Sequence, residues 1–443
     1  MALNTTLVKS TVVAALGGLL FGFDTAVIAG ATSALTSTFT LSASTLGLTV
    51  SIALWGTVVG ALLASIPGDR YGRRDSLRVM AILYLISALG CAFASNWYAL
   101  IFFRFIGGLA IGGSSVLGPM YISEIAPAKW RGRLVGFFQF NVVAGILLAY
   151  LSNYLVGLSL QGGSSEWRWK LGISALPAAL FFLMLFGIPR SPRWLARKGR
   201  MEDARRVLES IGEGNIDSEL QAMNAAFEQE RNQGQERLFQ AKYRLPLFLA
   251  LSIAMFNQLA GINAILYYLN DIFARAGFSK VSSDLQAVAI GGTNLLFTML
   301  AMTIIDKVGR RTLLLVGSVG MALCLAGAAA IFWSGHHENL LVWLLIGFIA
   351  SFAFSQGAVI WVYLSEIFPT AVRARGQSLG SSTHWVMNAL ISWAFPIVAT
   401  HSKAAPFVFF SGMMVLQFFT VLFFYPETKN IVLEDMEKKL TTA

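Results

Sequence analysis

Charged residues are scarce in this sequence. Asp, Glu, Lys and Arg make up only 13% of its 443 residues, and 56% of the residues are hydrophobic. A soluble globular protein averages about 25% charged residues, so this composition excludes that class. The apolar residues fall in runs long enough to cross a bilayer as helices, which predicts an all-α membrane protein.

Cysteine and histidine are rare as well. The two cysteines, Cys91 and Cys324, both lie in apolar runs and indicate no disulfide framework. The sequence contains no recognisable metal-ligand cluster and no nucleophile–base set, so we expect neither an enzyme nor a metal or cofactor site. The four histidines lie near the predicted outer face or singly in a span: His336, His337, His384 and His401.

Twelve apolar segments are candidates for transmembrane helices. The first has no small-residue cleavage site after a short core, and we interpret it as a retained helix rather than a removed signal peptide. The segments cover residues 11–31, 45–66, 77–95, 98–121, 134–157, 169–188, 245–270, 284–304, 312–333, 340–363, 376–399 and 405–425.

Basic residues are distributed unevenly between the two sides that these segments define. If the N-terminus is inside, 27 of the 33 Lys and Arg residues are cytoplasmic, five are outside and Arg104 lies within a span. The positive-inside rule then places both termini in the cytoplasm. The net charge of +10 is therefore a topology signal, and no basic patch suggests a nucleic-acid partner.

Three motifs from the first half of the chain return in the second half in the same order. Their offsets are 237, 242 and 237 residues, which makes chance a poor explanation. Two six-helix halves related by an axis along the membrane normal are typical of a transporter that rocks about a midplane site. The pairs are Asp69–Arg74 with Asp306–Arg311, Glu124–Gly132 with Glu366–Gly376, and Pro189–Pro192 with Pro426–Lys429.

This repeat predicts four regions. Residues 1–188 form an N-terminal six-helix half and residues 245–425 a pseudo-symmetric C-terminal half. Residues 189–244 form a cytoplasmic linker with short amphipathic helices, because the pattern from Met201 to Ser210 is amphipathic. Residues 426–443 form a cytoplasmic tail.

Asp24 is the only ionisable residue of the first segment. A carboxylate inside a bilayer costs about 2.5–3.5 kcal/mol on insertion scales, so it must face a partner or a wet cavity. Arg104 lies at the same depth below the predicted outer boundary, which predicts an Asp24–Arg104 pair that exchanges a proton as the cavity opens. The alternative is a static pair that only locks two helices. Small residues on the same helix predict the close approach of another backbone; they are Gly18, Gly22, Ala26 and Gly30.

Neutral polar side chains interrupt several apolar segments. Amides both donate and accept hydrogen bonds, as sugar hydroxyls do, and indole faces suit the apolar side of a sugar ring. Because Arg104 is the only basic residue well inside a span, a neutral polyol is the best fit. Each amide taken singly could instead join two helices. The strongest cluster is Asn257, Gln258 and Asn263, and the others are Gln139, Asn141, Asn294, Trp361, His384, Trp385 and Asn388.

Nine short motifs are spread over nearly the whole chain: Gly68–Arg74, Arg104–Gly108, Pro119–Glu124, Arg131–Gly132, Ser191–Leu195, Gln258–Asn263, Asp306–Arg311, Ser365–Pro369 and Pro426–Asn430. Together they resemble the motifs of sugar porters of the major facilitator superfamily. The resemblance implies the major facilitator fold, with twelve transmembrane helices in two pseudo-symmetric six-helix halves.

The resemblance also implies roles for individual residues. Asp24 lies where proton-coupled members keep an acid, and Arg104 matches the partner arginine. Asn257 and His384 replace amide side chains that are common in the family, and Arg190 replaces a glutamate, which would weaken one cytoplasmic ion pair. The positions assigned to sugar contact or to the lining of its cavity are Phe21, Gln139, Asn257, Gln258, Asn263, Tyr268, Asn294, Trp361, His384 and Asn388.

A cytoplasmic gate is implied in the same way. In the family, charged loop residues lock the inner side shut when the site faces out. An exposed ion pair contributes about 0–1 kcal/mol, so the network as a whole must bias the equilibrium. The alternative is that these charges only set topology. The gate residues are Asp69, Arg73, Arg74, Glu124, Arg131, Arg133, Asp306, Arg310, Arg311, Glu366 and Arg373.

We therefore predict proton-coupled import of a monosaccharide, a hexose or a pentose, by alternating access. A uniporter of the same fold remains open, since Ser174 stands where some proton-coupled members carry a glutamate. A non-transporting sugar sensor and a drug exporter fit less well. The expected partners are the sugar, a proton and the lipid bilayer, and we expect a monomer in the plasma membrane, the inner membrane of a bacterium.

Overall fold

The structure is a computed structural model that describes residues 4–127, 129–160, 163–212, 214–232, 238–369, 372–429 and 431. Every regular element in these ranges is a helix, as the composition predicts. The predicted tail, 426–443, lies mostly outside the described residues.

The helices fall into three groups along the chain. The first group contains Thr5–Val27, Thr32–Phe39, Ala43–Leu63, Ser65–Tyr71, Arg73–Phe93, Trp97–Ile125, Arg131–Leu160, Glu166–Gly172 and Ala175–Met184. The linker contains Pro192–Arg197, Met201–Ser210 and Ile216–Asn232. The last group contains Arg244–Leu259, Ile262–Tyr267, Leu269–Arg275, Lys280–Val308, Arg310–Ser334, Leu340–Phe354, Gln356–Glu366, Arg373–His401 and Ala405–Phe424. Single 3-10 turns are Ile28–Gly30, Leu185–Gly187 and Ala241–Tyr243.

All twelve predicted segments fall on helices. Eleven helical stretches of the described chain are long and apolar enough to cross a membrane. The remaining segment lies in Arg373–His401, whose 29 residues extend about 43 Å at 1.5 Å per residue. It is less apolar because it carries polar residues such as His384 and Asn388. In chain order the spans are Thr5–Gly30, Ala43–Leu63, Arg73–Phe93, Trp97–Ile125, Arg131–Leu160, Glu166–Gly187, Ala241–Tyr267, Lys280–Val308, Arg310–Ser334, Leu340–Glu366, Arg373–His401 and Ala405–Phe424.

The described residues divide into two compact units. The first lies within Met1–Thr25, Trp55–Ala149 and Trp167–Gly234, and the second lies within Ala26–Leu54, Tyr150–Glu166 and Gln235–Ala443. The second unit thus holds the C-terminal spans together with one end of the first, second and fifth spans. In the predicted topology this end is the outer one. The division into halves 1–188 and 245–425 stays a prediction.

The small-residue face of the first span lies against the fifth span, as predicted. A Cβ added to Gly22 would lie 1.8 Å from the carbonyl oxygen of Val142. On the fifth span, a Cβ added to Gly145 would lie 2.1 Å from the carbonyl oxygen of Leu19 on the first span. Only glycine permits this backbone approach, which holds the first span, and with it Asp24, in place.

A break in the seventh span positions the amide cluster. Gly261 separates Arg244–Leu259 from Ile262–Tyr267 and has a φ of +81°, a left-handed conformation that favours glycine. A Cβ at this position would also lie 2.3 Å from the ring of Phe410. The break brings Gln258, just before it, close to Asn263, just after it.

The linker helices pack against the spans of the first unit. Met201–Ser210 buries Ala204 and Leu208 on one face, as its amphipathic pattern predicts. These two side chains belong to the same hydrophobic core as Trp194 and Tyr121 of the fourth span. The linker thus covers the inner ends of these spans.

Candidate functional site

Asp24 and Arg104 lie together in the first unit. Arg104 is 4% exposed, and its charge acts electrostatically on the half-buried Asp24. The Asp24 Oδ2 atom lies 3.9 Å from the point that a Cβ of Gly107 would occupy, one turn beyond Arg104. The structure therefore brings together the two residues that equal depth predicted to be partners, and their role in proton coupling stays a prediction.

The third span provides the polar surroundings of this pair. The Tyr84 hydroxyl lies 3.0 Å from the Ser114 hydroxyl, and both Tyr84 and Cys91 lie close enough to interact electrostatically with Asp24. The hydroxyl of Ser87 lies against Gly107. Sequence reasoning missed these residues, although the spacing of Tyr84, Ser87 and Cys91 places them on one helix face.

Gln258 is the centre of a hydrogen-bond network in the second unit. Its Nε2 donates to Asn257 Oδ1 at 3.0 Å, and its Oε1 accepts from Asn263 Nδ2 at 3.0 Å. The same Nε2 lies 3.2 Å from His384 Nδ1. The broken seventh span and the eleventh span thus present three amides and an imidazole in one place, which can exchange these bonds for bonds to hydroxyls.

Trp361 forms an aromatic wall beside this network. Its ring centroid lies 5.2 Å from that of His384, with the planes tilted by 57°. His384 also contacts Trp385 edge-on at 5.1 Å. Trp361 is 40% exposed, whereas Gln258 is 1% exposed. An open indole next to buried amides can pack against an apolar ring face while the amides bind its polar edge.

Other predicted sugar-contact residues bond to protein groups. Asn388 is 0% exposed; its Nδ2 donates to the Tyr267 hydroxyl at 3.3 Å and its Oδ1 accepts from Ser392 at 3.1 Å. Tyr268 donates to the Ser392 carbonyl oxygen at 2.9 Å. Asn294 accepts a long bond from a threonine one turn away. The bonds of Asn388 to Tyr267 and of Tyr268 to Ser392 join helices and fit the helix-joining alternative. Sugar contact by Asn388, Tyr268 and Asn294 stays a prediction.

Phe21 and Gln139 lie in the first unit. Phe21 is half-buried and packs against the hydrophobic core that contains Phe138. Gln139 is half-buried, and the neighbouring Asn141 donates to the carbonyl oxygen of Phe137 at 2.9 Å. The predicted sugar contacts of Phe21 and Gln139 are not tested by these surroundings.

Charged residues at the inner ends of the N-terminal spans form the first part of the predicted gate network. Arg73 Nε donates to Glu124 Oε1 at 3.0 Å, and Arg73 Nη1 donates to Asp69 at 2.9 Å. Arg74 pairs with Asp75 at 3.0 Å. Arg131 donates to the Ala126 carbonyl oxygen at 3.4 Å, and the Arg133 guanidinium lies 5.3 Å from the Trp130 ring.

The C-terminal counterpart repeats the two ion pairs of Arg73. Arg310 Nη2 bonds to Glu366 at 2.8 Å and to Asp306 at 2.9 Å. Arg311 donates to the Leu422 carbonyl oxygen at 2.6 Å, and Arg373 Nε donates to the Phe368 carbonyl oxygen at 3.1 Å. The sequence repeat therefore corresponds to a repeat of ion pairs, although their gating role stays a prediction.

The two halves differ at Arg190. In the C-terminal half, Glu427 accepts from the backbone amides of Arg310 at 2.9 Å and Arg311 at 3.1 Å, where the ninth span begins. Arg190 stands at the repeat position of Glu427 and cannot accept such bonds. It pairs with Asp75 at 2.8 Å instead. The substitution therefore exchanges a carboxylate cap for an ion pair, rather than simply weakening one.

A comparison with protein families matches this chain over most of its length. The family model described as "Sugar (and other) transporter" matches residues 10–440. The D-xylose-proton symporter of Escherichia coli K12 is 34% identical, covering 96% of this chain and 94% of that protein. The arabinose-proton symporter of Bacillus subtilis is 36% identical, covering 96% and 93%.

Solved structures give the same picture. The inward-open conformation of the xylose transporter XylE from E. coli matches with a TM-score of 0.87 at 33% identity, covering 98% of this chain and 99% of that one. XylE bound to 6-bromo-6-deoxy-D-glucose matches with a TM-score of 0.79 at 33% identity, covering 98% and 99%.

Proposed function

Because the chain belongs to the sugar transporter family of the major facilitator superfamily, we propose that it imports a monosaccharide together with a proton. It is a multi-pass membrane transport protein and not an enzyme. The substrate is a hexose or a pentose, and the relatives named for D-xylose and arabinose support this class.

The juxtaposition of Asp24 and Arg104 is the observation that supports proton coupling. An acid in a span is stable only when it is paired or hydrated. Alternating access changes both the hydration of the Asp24 carboxyl and its distance from Arg104, so each change of state can load or release one proton. The imported sugar would then share the energy of the proton gradient.

The network around Gln258 supports a neutral sugar as the substrate. Its amides donate and accept, and Trp361 offers an open aromatic face beside them. A sugar hydroxyl can replace the bond between Gln258 and His384 without leaving either group unpaired. Charged substrates fit poorly, because Arg104, which lies deep within its span, is next to Asp24 and its charge is already opposed.

Contacts at the outer ends of the spans support alternating access. The Tyr150 hydroxyl donates to the Leu266 carbonyl oxygen at 2.8 Å, and Asn153 donates to the Val27 carbonyl oxygen at 3.0 Å. Both bonds join N-terminal spans to each other or to the seventh span within the second unit. The Tyr150–Leu266 bond, which joins the fifth span to the seventh, is one that an outward-facing state would have to change.

Membrane orientation follows the distribution of basic residues. We place both termini in the cytoplasm and the protein in a bacterial plasma membrane, as a monomer. The loop residues from Asp69 to Arg74 and their repeat then lie at the cytoplasmic face, where they act as the inner gate.

Transport by the purified protein in liposomes tests the proposal. A panel of radiolabelled sugars, run with and without a pH gradient, identifies the substrate and its coupling. The variant Asp24→Asn is expected to lose accumulation against a gradient and to keep sugar counterflow. Concentrative uptake by this variant would refute the coupling role of Asp24.

A uniporter is the second candidate. Ser174 is buried and donates to the Leu171 carbonyl oxygen at 2.7 Å, so it supplies no acid where some proton-coupled members have one. Addition of sugar to energised cells separates the two candidates. External alkalinisation indicates symport, and its absence during sugar uptake indicates uniport.

A further inference from the structure

A cavity lies at the outer end of the second unit, away from the Gln258 network. Its volume is about 460 Å³. Its walls come from the short helix Thr32–Phe39, the helix Leu269–Arg275 and the end of the eleventh span. Exposed residues at its rim, Ser37, Arg275 and Lys403, connect it to the outer surface. Water and protons from outside can therefore enter it.

Asp271 is the carboxylate that lines this cavity. It follows the seventh span, which ends at Tyr267. One side of its carboxyl is hydrogen-bonded to Thr32. The other oxygen, Oδ2, is buried, and no donor among the described residues reaches it. An ionised carboxylate with one unpaired buried oxygen is costly, and a proton removes that cost.

The Thr32 hydroxyl is shared between Asp271 and a backbone carbonyl oxygen, so it favours the ionised carboxyl only weakly. It has one hydrogen, and it lies 3.2 Å from the carbonyl oxygen of Ala29, to which it donates. A protonated Asp271 can donate to the Thr32 oxygen while that bond is kept. An ionised Asp271 competes with Ala29 for the single hydrogen.

We propose that Asp271 is a proton-binding site of the outer gate, and that its protonation favours the closed state of the outer side. Thr32 and Asp271 lie on elements that outward opening must separate, so opening exposes the carboxyl to water. This inference rests on the alternating access of the proposed function. Asp271 is proposed to control closure of the outer gate, whereas Asp24 is proposed to couple proton movement to sugar transport.

The linkage has a definite sign. Burial raises the pKa of the Asp271 carboxyl to about 6, against the opposing effects of Thr32 and the Arg275 charge. A carboxyl exposed by opening has an ordinary pKa of about 3.9, so the closed state binds the proton more tightly. Closure therefore gains stability as the pH falls through 6 and loses it as the pH rises through 6. Between pH 7.5 and pH 5 the closed-to-open ratio should rise about tenfold.

Other charged or titratable groups lie on the elements around Asp271. The helix Thr32–Phe39 has no ionisable side chain. Arg275 donates a hydrogen bond to the carbonyl oxygen of Ala399 at 2.6 Å. Lys403 donates to the carbonyl oxygen of Arg275 at 3.1 Å. The charged or titratable groups on the neighbouring elements are Arg275, Lys280, Asp284, His401 and Lys403.

A distance measurement across the outer side tests the inference. The spin labels are attached at Thr38→Cys and Ala274→Cys, two exposed positions, in a protein whose Cys91 and Cys324 are replaced by alanine. Pulsed electron paramagnetic resonance in liposomes then measures the distance between the labels, which reports gate closure. The background carries Asp24→Asn, which removes the carboxyl to which the proposed function assigns proton coupling. The ratio of closed to open protein should rise about tenfold from pH 7.5 to pH 5.

The variant Asp271→Asn should abolish this response and hold the gate near its low-pH distribution. Asp271→Ser gives the same prediction if the asparagine variant does not reach the membrane. Glu338→Gln, which removes an exposed carboxylate on the same face, should keep the full response. A tenfold response that survives loss of Asp271 would overturn the inference. No sugar or gradient is used, so failure of coupling at Asp24 cannot produce this result.

Discussion

Arg73 and Glu124 form a buried ion pair at 3.0 Å, with both side chains 8% exposed. Glu124 also accepts from the Ser191 hydroxyl at 2.5 Å. The repeat reproduces this arrangement, because Glu366 accepts from Arg310 at 2.8 Å and from the Thr428 hydroxyl at 2.7 Å. Each half thus has an arginine, a glutamate and a hydroxyl bonded together at its inner end.

Removal of Arg73 should destabilise the folded protein. Arg73→Ala leaves the buried Glu124 carboxylate without its cation, and breaking a buried pair from one side costs up to about 3–5 kcal/mol. We expect a lower midpoint temperature for thermal unfolding in detergent. Size-exclusion chromatography after heating measures this midpoint. Arg70→Ala, which removes an exposed arginine three residues earlier in the chain, is the control and should leave the midpoint nearly unchanged. Equal midpoints for both variants would contradict the prediction.

Close contact between the first and fifth spans should not tolerate a methyl group. Gly22→Ala puts a Cβ 1.8 Å from the Val142 carbonyl oxygen, so the two helices must separate. We expect reduced stability and reduced transport, measured on the same purified sample. Gly412→Ala is the matched control, because no atom lies within 4 Å of its added Cβ. A helix-interior alanine is otherwise favourable by about 0.5–1 kcal/mol, so a stable Gly22→Ala protein would show that the contact can relax.

The loss of Gln258 should weaken sugar binding more than it weakens the fold. Gln258→Ala removes the group that joins Asn257, Asn263 and His384. A bound sugar hydroxyl left without its partner costs about 1–3 kcal/mol, which corresponds to a rise in KM of about 5- to 150-fold in counterflow. Gln221→Ala, on an exposed face of the linker, should keep the original KM. An unchanged KM for Gln258→Ala would place the substrate elsewhere.

Tyr150 should stabilise the closed outer side. Tyr150→Phe removes the buried hydroxyl that donates to the Leu266 carbonyl oxygen at 2.8 Å. The unpaired carbonyl disfavours closure, and the equilibrium should move toward the open outer side by about fivefold or more. The outer spin-label distance measures this shift at constant pH. Tyr154→Phe, one turn further along and half-buried, is the control and should not move the distribution.

The sequence by itself determined the all-helical membrane class, the positions of the spans and the internal repeat. These features depend on local composition, since each span must satisfy its own backbone hydrogen bonds in lipid. It also paired Asp24 with Arg104, because helix rise converts residue number into depth. The recurrence of Arg73 and Glu124 as Arg310 and Glu366 was visible in the same way.

Only the tertiary structure decided which side chains meet across helices. Tyr84 and Ser87 lie beside Asp24 because the third span is turned toward the first, and span rotation is set by packing rather than by hydropathy. Asn388 is predicted to contact sugar, and only the structure shows that its amide bonds to Tyr267 and Ser392. Nothing in the local sequence indicates that the carboxyl of Asp271 is buried. Burial and partners are properties of the assembled helices, so no local pattern could reveal them.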